Sequence, residues 1–141
     1  MRRNLTMTIQ ERFESYEKYR CELEADICVL GGMLELSIPE PDGSLNELGQ
    51  VLKQIQSSLD FVCDERIENR MEHARMRLRE LQMLDYAIRS RPQRQREILH
   101  GLYVRRLSWQ ELEQELHVSQ MTISRDRNEA FRALQNNFDD W

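Results

Sequence analysis

The sequence predicts an all-α chain: an N-terminal helical hairpin or coiled coil, one long helix, and a small helical C-terminal domain. Three observations carry this. Helix breakers are sparse: neither Gly nor Pro occurs from Gln50 to Arg91, nor from Leu102 to the last residue. Apolar residues recur at alternating steps of four and three through the first half. Capping boxes, a Ser or Thr followed three residues later by Glu, open three segments at Thr8/Glu11, Ser44/Glu47 and Ser108/Glu111.

Ile9, Phe13, Tyr16, Leu23, Ile27, Leu30 and Leu34 form a heptad seam interrupted only by Arg20, which predicts a helix from Thr8 to about Leu36 seeking a helical partner. Pro39, Pro41 and Gly43 in "SIPEPDGS" predict a turn. Beyond it Leu48, Leu52, Ile55, Leu59 and Val62 continue a seam. The stripe then slips and resumes as Ile67, Met71, Ala74, Leu78, Leu81 and Ile88, which reads as a stutter in one helix from Leu45 to about Ser90. Such a helix would be roughly 69 Å long. The shorter first helix cannot cover it, so the remainder is expected to meet the C-terminal domain or a second copy of the chain, a dimer being the simpler way to bury it. The expected domains are 1–90, for oligomerisation, and 91–141.

Net charge is −5 over 141 residues, with 40% hydrophobic and 32% charged side chains. That composition excludes a disordered chain, and no apolar run approaches the roughly 20 residues that span a bilayer. Neither a membrane partner nor a signal peptide is expected, which points to the cytoplasm. Cys21, Cys28 and Cys63 are an odd set without a C-x-x-C pair, expected as buried thiols. Charge is uneven: residues 1–65 carry 6 basic and 13 acidic side chains, whereas residues 66–110 carry 11 arginines against 5 acids. Polyanion binding depends on local potential, so net acidity does not exclude it.

Pro92 suits the first turn of a helix. In "QRQREILHGLYV", Ile98, Leu99, Leu102 and Tyr103 share a face, with Arg94 and Arg96 outside it. Trp109, Leu112 and Leu116 line a short helix after Ser108. "HVS" reads as a tight turn, Ser119 caps again, and a last helix starts at Gln120 with Ile123, Ala130, Phe131 and Leu134 inward. Val118 is placed to tuck beneath that start, near Ile123. Gln120, Met121, Thr122, Ser124, Arg125 and Asn128 then project outward. This is a helix-turn-helix pattern, and those side chains suit base edges: Gln for adenine, Arg for guanine, Thr or Met for a thymine methyl. Arg94, Arg96, Arg105, Arg106, Ser108 and Ser119 are the expected phosphate contacts, helped by the N-terminal dipole of the last helix.

Arg91 to Leu134 resembles region 4 of the sigma-70 family, which reads the −35 promoter element. The resemblance rests on "RPQRQREIL", "YVRRLSWQELEQEL" and "HVSQMTISRDRNEAFRAL". It implies that Gln120, Met121, Ser124 and Arg125 face bases, and that Arg96, Arg106 and Ser108 sit where the family contacts phosphate. The chain departs from the family pattern at Arg91 (usually Leu), Glu113 (usually small) and His117 (usually Gly). It departs again at Asp126 and Arg127, where an apolar residue is usual. Glu113 and Arg127 are expected to pair across the two helices, and His117 to strain the turn. A sigma-like C-terminus behind an unrelated helical N-terminus resembles the ArpU/RinA-type phage late transcription regulators.

The three histidines share no ligand spacing with the cysteines, and no phosphate loop or nucleophile elbow is present. Neither enzyme activity nor a cofactor or metal is expected. The expectation is a dimeric, sequence-specific regulator that binds double-stranded DNA and acts with RNA polymerase. The alternative is a module that docks on the polymerase without reading DNA.

Overall fold

The computed structural model describes residues 7–36, 44–59 and 64–138. It is all-α, with seven α-helices among the described residues: α1 (Ile9–Glu14), α2 (Tyr16–Met33), α3 (Leu45–Ser58), α4 (Glu65–Arg89), α5 (Gln93–Leu99), α6 (Trp109–Leu116) and α7 (Gln120–Phe138). A π-helical turn, His100–Val104, follows α5. The predicted turn at Pro39–Gly43 lies outside the described residues.

The chain divides into two compact units, one of residues 18–83 and one joining 1–17 to 84–141. This differs from the single cut expected near residue 90. The split falls beside Arg20, the one interruption in the first heptad seam. Ile9, Phe13 and Tyr16 bury in one unit, and Leu23, Ile27 and Leu30 in the other.

In the 18–83 unit, α2 and α3 both pack against α4. Asp26 of α2 accepts from Arg70 Nη1 at 3.0 Å and lies 2.5 Å from His73 Nδ1, while Glu22 accepts from Arg77 Nε at 2.6 Å. Position 22 thus meets 77 while 26 meets 73 and 70, an antiparallel register. On the other side Gly49 faces Leu78, and Arg75 donates to Gln56.

The expected long helix is two. α3 ends at Ser58 with Leu59 as its C-cap. Asp64 opens α4: its carboxylate accepts from Arg66 N–H at 2.9 Å and its carbonyl from Glu68 N–H at 3.0 Å. The slip read as a stutter marks that break, and Asp64 was its legible signal. Val62 and Cys63 lie outside the described residues. Cys21 and Cys28 are exposed rather than buried, because they ride the outer face of α2.

In the other unit, α1 closes onto the C-terminal helices through aromatic rings. Phe13 lies 5.6 Å from Tyr103 and 5.8 Å from Phe131, centroid to centroid, and Tyr103 lies 5.9 Å from Phe131. Gln135 of α7 accepts from the Ile9 N–H at 3.0 Å. Tyr16 adds a 3.5 Å hydrogen bond to Asp85. The Thr8 capping box forms as expected, its Oγ1 taking the Glu11 N–H at 3.1 Å and Glu11 returning to the Thr8 N–H at 2.8 Å.

The π turn brings backbone close to α6. A Cβ added at Gly101 would stand 2.7 Å from Leu112 Cδ1, in a fully buried cluster of Ile98, Leu112 and Ile123. Gly101→Ala therefore over-packs this centre. We expect a loss of about 1–3 kcal/mol in urea denaturation, reduced when Leu112→Ala opens room in the same chain, so that the two changes are not additive.

Candidate nucleic-acid interface

Three apolar side chains place the interface. Ile98 from α5, Leu112 from α6 and Ile123 from α7 are each fully buried against one another, with Leu102, Leu107, Trp109, Leu116 and Val118 packed around them. Val118 sits beneath the start of α7, as its place before the cap predicted. Ala130, Phe131 and Leu134 bury the rest of the inward stripe.

The caps set the angle between α6 and α7. Ser108 Oγ accepts from Glu111 N–H at 3.1 Å, and Glu111 accepts from Ser108 N–H at 2.8 Å. His117 ends α6 in the left-handed conformation, φ 58 and ψ 42, with its N–H on the Glu113 carbonyl at 2.9 Å. Ser119 Oγ then takes the Thr122 N–H at 3.2 Å and lies 3.1 Å from the Thr122 hydroxyl.

The residues expected to read bases share one outer face of α7. Gln120, Arg125 and Asn128 are exposed, and Thr122 and Ser124 half-buried. Met121 is 79% exposed, unusual for a large apolar side chain and available for contact.

The phosphate candidates fall into two groups. Arg96 and Arg106 are exposed, and Arg106, one residue past the Arg105 cap of the π turn, adopts φ 59, a conformation that favours glycine. Ser108 and Ser119 are exposed at the two caps. Arg94 and Arg105 are instead held by carboxylates of the chain. Arg94 Nε donates to Asp126 Oδ2 at 2.7 Å, and Arg105 reaches both oxygens of Glu115 at 2.5 and 3.0 Å.

The expected Glu113–Arg127 pair does not form: among the described residues no ion pair joins them. The Arg127 guanidinium carbon lies over two aromatic rings instead, 5.1 Å from the Trp109 centroid and 5.8 Å from the Phe131 centroid. Cation–π attraction to two rings in a partly desolvated site competes well with one exposed ion pair. Burial pushes the Tyr103 hydroxyl up, an effect partly offset by the positive charge of the nearby Arg127 guanidinium. Sequence reasoning also missed the burial of Asp126; an acid on the inward stripe, three residues after Ile123, was the signal.

Among the described residues no three His, Cys, Asp or Glu side chains are grouped to hold a metal ion, and no helix is long and apolar enough to cross a membrane.

Two measurements follow. His117→Gly relieves left-handed strain of about 1 kcal/mol, partly offset by the greater freedom of glycine in the unfolded chain. The denaturation midpoint should rise, and a fall would remove strain from the account. Separately, hydrogen bonds from Ser108 hold the Glu111 carboxyl below its ordinary value of 4.5, and Arg105 does the same for Glu115. Because both folded-state values are depressed, their stabilisation is present above about pH 4.5 and is lost as pH falls through the lowered values. Midpoints of the Glu111→Gln, Glu115→Gln chain should vary less with pH below 4.5 than those of the parent.

Residues 87–136 match the family model for Sigma-70, region 4. Neither the curated proteins nor the solved structures return a match. The matched span takes in α5, the π turn, α6 and nearly all of α7, the same helices that raise the outward face just described. The C-terminal part of this chain therefore carries a sigma-70 region 4-like helix-turn-helix domain.

Proposed function

We propose that the protein is a sequence-specific DNA-binding transcription regulator, of the phage or prophage type, acting at promoters with RNA polymerase. The observation that carries this reading is α7. Ile123, Ala130 and Leu134 anchor it from behind, leaving Gln120, Met121, Arg125 and Asn128 exposed for a major groove. Gln120, Met121, Thr122, Ser124, Arg125 and Asn128 read bases. Arg96, Arg106, Ser108 and Ser119 contact phosphate directly, joined by Arg94 and Arg105 from their carboxylate partners.

The N-terminal helices serve dimerisation, and the two-fold sets the spacing of half-sites. Val29 and Met33 on α2 and Met76 on α4 leave apolar surface exposed for it. The phage assignment rests on a sigma-like C-terminus together with an acidic, heptad-patterned sequence over residues 1–65, which offers no basic, aromatic-rich helix suited to melting a promoter.

A second reading is a module that docks on RNA polymerase without reading DNA. Its support is the engagement of Arg94 and Arg105 by Asp126 and Glu115, which leaves fewer free cations for phosphate. Salt separates the two, because phosphate contacts release counterions and docking through an apolar face does not.

Selection of binding sites from random duplex DNA by the full chain tests the first reading. A defined site with two inverted halves is the expected result, with affinity falling steeply as salt rises. Arg125→Ala should cost about 1–3 kcal/mol on that site and relax selectivity at one position. Unaltered affinity and selectivity would remove Arg125 from the base-reading set.

A further inference from the structure

Asp126 lies on the buried side of α7, three residues after Ile123 and four before Ala130, both fully buried. It is only 8% exposed, yet it carries a carboxylate. Arg94 reaches it from α5 through Nε, at 2.7 Å from Oδ2, the one hydrogen bond of Arg94 among the described residues. Its other oxygen, Oδ1, lies 3.9 Å from Arg125 Nε. One buried carboxylate therefore sits between an arginine suited to phosphate and an arginine suited to a base.

We propose that Asp126 is a positioning residue for DNA contact: by pinning Arg94 through Nε it orients the guanidinium and leaves both Nη groups for a backbone phosphate. The inference rests on the DNA-binding reading above. Stability alone does not call for a carboxylate here. Desolvation offsets most of the attraction in a buried ion pair, and an apolar side chain of similar size would hold α5 to α7 as well or better. What an apolar side chain cannot do is fix the plane of a guanidinium. An arginine fork held in advance loses less freedom when it meets phosphate. The Arg94 side chain is 52% exposed, so its free end is open to solvent and to a ligand. With two arginines on one carboxylate, the local charge stays positive.

The test uses the full chain and a duplex selected by the parent protein from random DNA, with affinity measured between about 50 and 200 mM salt. Asp126→Leu should keep the parent's thermal midpoint or exceed it, whereas Arg94→Ala, which leaves the buried Asp126 carboxylate without its partner, should lower the midpoint while the chain stays folded. Each should bind about tenfold more weakly, as expected for one lost charged hydrogen bond. Each should also flatten the slope of log affinity against log salt by about one. The double variant should bind no more weakly than Arg94→Ala, since both changes remove the same contact. Asp126→Asn, which keeps an oxygen for the Nε donor, should restore most of the affinity.

Parent-like affinity and slope in Asp126→Leu would overturn the proposal. So would tighter binding in that variant, or a double variant that loses the product of the two single effects. Should Asp126→Leu fail to fold, Arg94→Lys reads the same contact. It keeps the charge without the oriented fork and should lose about tenfold, whereas parent-like binding would overturn the proposal. A parent chain that binds no duplex, selected or random, at about 50 mM salt would remove the DNA-binding reading itself. A parent that binds while the variants match it would remove only the role of Asp126.

Discussion

The outward face of α7 depends on the contact of Ile98, Leu112 and Ile123. Each comes from a different helix, each is fully buried, and together they decide where α7 begins and which way its polar side points. The caps refine this arrangement and do not create it: Ser108 and Ser119 satisfy orphan N–H groups at helix starts that the apolar contact has already brought together. Gly101 belongs to the same constraint, because any side chain there would push against Leu112.

In each of the two units the arginines are more closely paired than the sequence suggests. On α4, Arg66, Arg70, Arg75 and Arg77 are matched by Asp64, Asp26, Glu72 and Glu22. Those partners are drawn largely from the acidic N-terminal part, which reconciles a net charge of −5 with a basic middle segment. Near α7 the pairing is selective. Arg94 and Arg105 have carboxylate partners, whereas Arg96 and Arg106 stand exposed. Part of the basic charge near α7 is thus neutralised within the chain, which moderates its long-range attraction to a polyanion.

Much of the fold was legible because it rests on local chemistry. Thr8, Ser108 and Ser119 cap as their spacing indicated, and the inward stripe of α7 follows its apolar repeat. What escaped depended on partners distant in sequence. Ile9, Phe13 and Tyr16 belong to the same period as Leu23 and Ile27, and period alone cannot say that Phe13 meets Phe131 and Tyr103, Ile9 meets Gln135 and Tyr16 meets Asp85. The helix break before Asp64 has no Gly or Pro to mark it, and its one local signal was Asp64 itself. Arg127 eluded a charge-based expectation because an aromatic face competes with a carboxylate. The outward placement of Gln120, Met121 and Arg125 was readable; the carboxylate holding Arg94 was visible only as an acid out of place.

The junction of Ile9 with Gln135 spans 126 positions along the chain. A unit closed by such a contact has an entropic cost in loop closure that local helices do not share. During synthesis the α1 side of this contact emerges well before its counterpart on α7. Phe13 therefore has neither Tyr103 nor Phe131 to pack against until both have been made. The intervening 18–83 unit can fold in that interval, bringing the stem of the loop together before its ends meet.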